Sequence, residues 1–124
     1  MMKKILPLLL LPLLMAGCST TFSNLTPRQQ PRNAENLYPV EFQFNSRAQA
    51  LRWDSIQPQV AVGGQFYPMQ RVQLLKDRWE GLVPVPPGAG SVEYHYKVEY
   101  LYNDFGSPRS ETAISPKYFL IIKD

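Results

Sequence analysis

Cysteine and histidine are nearly absent from this chain, with one of each, Cys18 and His95, in 124 residues. A lone cysteine excludes a disulfide framework, and one cysteine with one histidine leaves no cluster with the spacing of a structural zinc site. Blocks of like charge are also missing. Without a Lys/Arg stripe there is no electrostatic track for nucleic acid, and a nucleic-acid partner is not expected. No apolar run approaches the roughly 20 residues that carry a helix across a bilayer. The longest, Ile5 to Met15, covers eleven positions and contains Pro7 and Pro12. Catalytic constellations are equally scarce. His95 lies between Glu93 and Lys97 on one strand parity, which reads as a solvated position, and Asp77 with Glu80 reads as two solvated carboxylates rather than an acid and base pair. The expectation is a protein that is not an enzyme and needs neither cofactor nor metal.

What is present begins with a targeting segment. Lys3 and Lys4 precede the apolar run, and small residues Ala16 and Gly17 follow it, the order of a secretory signal. Leu14-Met15-Ala16-Gly17-Cys18 resembles the bacterial lipobox. That resemblance implies cleavage after residue 17, diacylglycerol on the Cys18 thiol and acylation of its amino group. Each buried methylene contributes about 0.8 kcal/mol, so two or three acyl chains hold the protein to a membrane permanently. Ser19 and Thr20 follow the cysteine in place of the Asp that retains lipoproteins in an inner membrane, so the resemblance implies the outer membrane. Removing Lys3 and Lys4 leaves eleven basic against ten acidic residues, and the net charge falls from +3 to about +1.

Residues 18–38 carry Ser, Thr, Asn, Gln and Arg with Pro27 and Pro31 and show no apolar period. They read as a flexible tether with a reach of roughly 25 Å. From residue 39 to 124 the dominant period is two, the signature of strands with one face on a core. Val40, Phe42 and Phe44 share a parity. Further segments follow at Ala50 to Trp53, Gln59 to Val62, Arg71 to Leu75, Trp79 to Val85, Val92 to Tyr102 and Tyr118 to Lys123. Gly63-Gly64, Pro86-Pro87-Gly88, Asn103-Asp104-Phe105-Gly106 and Ser107-Pro108 supply turns. About seven short strands predict an all-β sandwich, with a small barrel as the alternative.

The runs Gly64-Gln65-Phe66-Tyr67-Pro68-Met69, Asp77 to Gly88 and Tyr94-His95-Tyr96-Lys97-Val98 resemble early-set immunoglobulin-like domains. More narrowly, they are similar to glycogen-binding modules and to the N-terminal domains of branching and isoamylase-type enzymes. The resemblance implies an immunoglobulin-like sandwich over roughly residues 40–122. It also implies a sugar-bonding role for Lys97, while Met69 stands where the first sugar-stacking tryptophan would be and no tryptophan follows Lys97. Tyr94, Tyr96, Tyr100 and Tyr102 form a stripe whose hydroxyls need partners, so some are expected at a rim where tyrosine serves interfaces. The expected binding surface comprises Tyr96, Lys97, Tyr100, Tyr102 and Phe105, for a protein partner in the cell envelope or, alternatively, a glycan or peptidoglycan. Trp53 and Trp79 are expected in the core.

Overall fold

The computed structural model describes residues 20–46 and 51–124; the signal segment 1–17 and Cys18 lie outside them. Ten strands follow one another: β1 (Thr20–Asn24), β2 (Gln29–Pro31), β3 (Leu37–Ser46), β4 (Leu51–Val62), β5 (Gln65–Pro68), β6 (Gln70–Arg71), β7 (Arg78–Pro84), β8 (Ser91–Asp104), β9 (Ser107–Ile114) and β10 (Tyr118–Lys123). No helix among the described residues is long and apolar enough to cross a membrane.

One sheet has the order β1-β3-β7-β6, and the second runs β2-β10-β8-β4-β5 with β9 also paired to β8. Pairing is antiparallel except between β2 and β10. The initial segment is thus split, β1 lying in one sheet and β2 in the other, and the whole is an all-β immunoglobulin-like sandwich. β9 and β10 run in line along one side of β8, where Ile114 opposes Lys97 and Tyr118 opposes Tyr94. Between them Ser115 clamps Tyr96 twice: its amide donates to the Tyr96 carbonyl at 2.9 Å, and its hydroxyl accepts from the Tyr96 amide at 2.8 Å.

Alternation dictates the core. Tyr38, Val40, Phe42 and Phe44 of β3, with Trp79 and Val83 of the neighbouring β7, face Val60 and Val62 of β4 and Tyr94, Tyr96 and Val98 of β8 across the interlayer space. Phe42 stacks on Tyr96 at 4.5 Å and on Trp79 at 5.7 Å between ring centroids. Gly81 faces inward on β7, where a Cβ would meet Met69 Cγ at 3.0 Å. Trp79 is buried, and Trp53 is half-buried against the same cluster.

Four features depart from the sequence expectation. The tether is not free over residues 20–31, which supply β1 and β2. Its polar residues are there as partners for buried groups: Asn24 Nδ2 donates to the Tyr94 hydroxyl at 2.9 Å, and Asn24 Oδ1 accepts from the Tyr96 hydroxyl at 2.6 Å. Thr26 Oγ1 lies 3.1 Å from the Tyr96 hydroxyl and accepts from the Glu41 amide at 2.9 Å, while Gln30 Nε2 donates to the Pro39 carbonyl at 2.8 Å. Second, the segments near Trp53 and Gln59 are one strand, β4, interrupted by a bulge between Arg52 and Gln57. Third, only Arg71 of the segment Arg71 to Leu75 is strand; Leu75 donates to the Val72 carbonyl at 3.1 Å, closing a turn. Fourth, β9 adds a strand where Ser107 to Ile114 shows no apolar alternation, because all but Ala113 of its side chains are exposed.

Two turns place bulky residues at left-handed backbone positions. Leu74 has φ 70° at the third place of the turn closed by Leu75, where glycine or asparagine is usual. Phe105 (φ 51°) and Gly106 (φ 83°) are the two central residues of the β8–β9 hairpin, in the position pair that favours Asn-Gly. Each non-glycine residue there costs about 1–2 kcal/mol.

Asn24→Ala removes both the donor to Tyr94 and the acceptor for Tyr96. It is expected to lower stability by about 1–3 kcal/mol in urea unfolding, whereas the same change in a free tether would leave the midpoint unmoved. Burial, chiefly, raises the pKa of Tyr96, Tyr100 and Tyr118 above the ordinary 10.0. The unfolded chain then releases phenol protons before the folded one does. The contribution of these phenols to stability is level below pH 10, and stability is expected to fall as pH rises above it, measured by denaturant midpoints across alkaline pH.

Candidate functional site

Strand parity separates the five residues expected to form one surface. Tyr96 is fully buried between the sheets, with its hydroxyl held by Asn24 and Thr26, so it belongs to the core and not to a binding surface. Lys97 is on the opposite face of β8 and points outward. Its ammonium lies 4.9 Å above the ring of Phe66 and 3.5 Å from the Glu99 carboxylate. Tyr100 and Tyr102 return to the inner face, near the end of the sandwich, and are half-buried. Phe105 is fully exposed at the tip of the hairpin.

Tyr100 is the one expected residue that lines a substantial groove. The cleft has a volume of about 500 Å³ and opens between the facing edges of β1 and β9, with Phe22, Glu111, Ala113, Ile114 and Pro116 around Tyr100. The aromatic floor is continuous with the core, since the Phe44 ring is 5.8 Å from Tyr100 and 5.3 Å from Phe22. Burial, then the negative charge of Glu111 and the neighbouring Tyr102, hold the Tyr100 phenol above its ordinary pKa. It is therefore a neutral donor and acceptor at physiological pH. Among the described residues β9 pairs with β8 alone, so its second backbone edge borders this groove with no strand upon it. An extended peptide laid along such an edge gains main-chain hydrogen bonds, and its alternate side chains can enter a flanking pocket.

A second, smaller recess of about 210 Å³ lies on the outer face beside Gly63, Gly64, Phe66, His95 and Lys117. Phe66 is half-exposed there and was not among the residues expected at a site. Its place beside Lys97 follows from register, because Ala61 opposes both Phe66 on β5 and His95 on β8, and no local period encodes that pairing. A larger groove, about 690 Å³ between β3, β5 and β7, is lined by Leu37, Pro39, Tyr67 and Leu82 among others and contains none of the expected residues. Among the described residues no three His, Cys, Asp or Glu side chains are grouped as a metal site requires.

Comparison with protein-family models and with curated proteins finds no match to this chain.

Replacing Glu111 by Gln removes the charge beside Tyr100 while leaving the burial. The Tyr100 phenol is expected to titrate lower than in the parent protein and still above an exposed tyrosine, as followed by NMR on ring-labelled tyrosine.

Proposed function

We propose that the chain is a non-catalytic envelope lipoprotein, anchored through Cys18 in the outer membrane, that binds a protein partner along the free edge of β9. The observation that carries this reading is the coincidence of a strand edge that no other strand occupies among the described residues with the aromatic-floored groove of Phe22 and Tyr100. A free edge offers main-chain donors and acceptors without sequence preference, and the groove beside it supplies the selectivity that an edge alone lacks. Tyrosine at the floor suits such a contact, being apolar over its ring and polar at its tip. Ile114, 64% exposed at the groove wall, adds apolar surface that a partner would cover. The lipobox-like run ending at Cys18 supports the anchor.

A glycan is the second reading, favoured by Phe66 and Lys97 on the outer face. A half-exposed aromatic ring with an ammonium 4.9 Å above it and His95 nearby presents stacking and hydrogen-bonding groups together. Sugar would have to displace the ammonium from the ring.

Crosslinking in intact cells separates the two. Tyr100→Ala combined with Ile114→Asp is expected to reduce partner recovery at least about tenfold, the effect of losing some 1.4 kcal/mol of contact. Phe66→Ala with Lys97→Ala is expected to leave recovery unchanged. Equal recovery from a folded Tyr100/Ile114 variant removes the protein-edge reading. Retention of the mature chain carrying Cys18→Ala on peptidoglycan or glycogen, abolished by the Phe66/Lys97 pair of changes, would establish the second.

A further inference from the structure

We infer that the end of the sandwich at which β1 begins is a membrane-contacting face, with Leu74 and Phe105 entering the lipid interface beside the acyl chains. This rests on the anchor at Cys18. Thr20 opposes Ser46, the last residue of β3, and Tyr102 opposes Leu51, the first residue of β4. Gln43 opposes Arg78, so the turn that precedes β7 reaches the same end. The start of β1, the turn containing Leu74 and the β8–β9 hairpin therefore lie together, while the Pro86–Ala89 turn and the C-terminal end of β10 lie at the other end.

Leu74 and Phe105 are the two fully exposed large apolar side chains among the described residues; the next, Ile114, is 64% exposed. Both sit at left-handed backbone positions, where glycine or asparagine would meet no steric penalty. Neither side chain packs on the core. Folding alone accounts for neither choice, and an apolar environment outside the protein accounts for both.

Chain length says what that environment is. Cys18 is two positions from Thr20, a span of at most about 7 Å. The end of β8, at position 104, stands four residues beyond Tyr100, about 13 Å at 3.3 Å per residue, with Phe105 next in the turn, and Tyr100 is level with Phe44 and Phe22. Thr20 is two residues, about 7 Å, beyond Phe22. The reach of the anchor and the height of the tip thus agree. Acyl chains on Cys18 cannot enter a bilayer without bringing Leu74 and Phe105 to its surface. Trp53, with the Lys76 ammonium 5.1 Å from its ring, lies at the same end, and such an aromatic and cationic pair suits the headgroup zone.

The full-length protein, processed in a bacterial host and purified, is reconstituted in phosphatidylethanolamine and phosphatidylglycerol vesicles. A single cysteine at Gln73, Ser107 or Pro87 is labelled with an environment-sensitive fluorophore, and lipids carrying a quencher in the upper acyl region are added. Quenching at positions 73 and 107 is expected to be several-fold greater than at 87, and Leu74→Ser with Phe105→Ser to reduce it several-fold without changing the circular dichroism. Equal quenching at all three positions, or stronger quenching at 87, overturns the inference provided that the sample floats with the vesicles and carries fatty-acid mass on Cys18. Absence of that mass defeats the anchor itself, and the inference with it. Should quenching be absent while the serine variants abolish a dimer seen by sedimentation in detergent, the face joins copies of the chain and membrane contact is overturned.

Discussion

Two phenol hydroxyls, those of Tyr94 and Tyr96, lie in the space between the sheets and must find partners inside the chain. Asn24 meets both, donating through its amide nitrogen to one and accepting through its oxygen from the other. Thr26 ties the same cluster to the β3 backbone at Glu41. These contacts fall where the chain passes from β1 in one sheet to β2 in the other, so one network satisfies the buried polar groups and closes the sandwich along that side. Tyr96 is further clamped by Ser115 at the break between β9 and β10. Its ring is in turn the plate on which Phe42 stacks. Polar specificity and apolar packing therefore converge on one side chain.

That network explains what could be read in the sequence and what could not. Period-two alternation made β3, β7, β8 and β10 legible because each has one wet and one dry face, and the turn residues around residues 63, 88 and 106 marked their ends. Residues 20–31 have no such alternation. Their order comes from Asn24, Thr26 and Gln30 pairing with groups up to 72 positions distant in the chain, and local composition carries no trace of such pairing. β9 was hidden for the opposite reason. An edge strand with nearly every side chain in water has no apolar face, and only its ladder with β8 defines it.

The candidate site was legible in part. The tyrosine stripe was visible, and the demand that some hydroxyls find partners was sound in principle. The partners of Tyr96 came from β1, which moved it from surface to core. Lys97 and Tyr100 are on opposite parities of one strand, so the period that revealed β8 also forbids them a common surface. What the stripe could not disclose was the edge facing Tyr100 across the groove, since that depends on where β9 and β1 end up relative to one another.

An edge that carries no second strand among the described residues, such as that of β9, invites self-association, and Pro108 and Glu111 along it are the kinds of residue that discourage pairing. Anchoring through Cys18 would add a geometric restraint of its own. With the β1 end against the bilayer, the strands would run roughly along the membrane normal, and every copy in one leaflet would point β9 in the same direction. Two such edges can meet only in parallel, the slightly weaker of the two ladder patterns. An antiparallel mate would require one copy to be inverted, which acyl chains on Cys18 would forbid. A different protein would be under no such restraint and could present a strand of the opposite sense, the stronger ladder pattern. Anchored so, the groove would lie within about 15 Å of the lipid surface by the strand rise, and that strand would have to come from a protein that itself approaches the same membrane. Selectivity of the edge would then be set by anchoring as much as by the side chains of the groove.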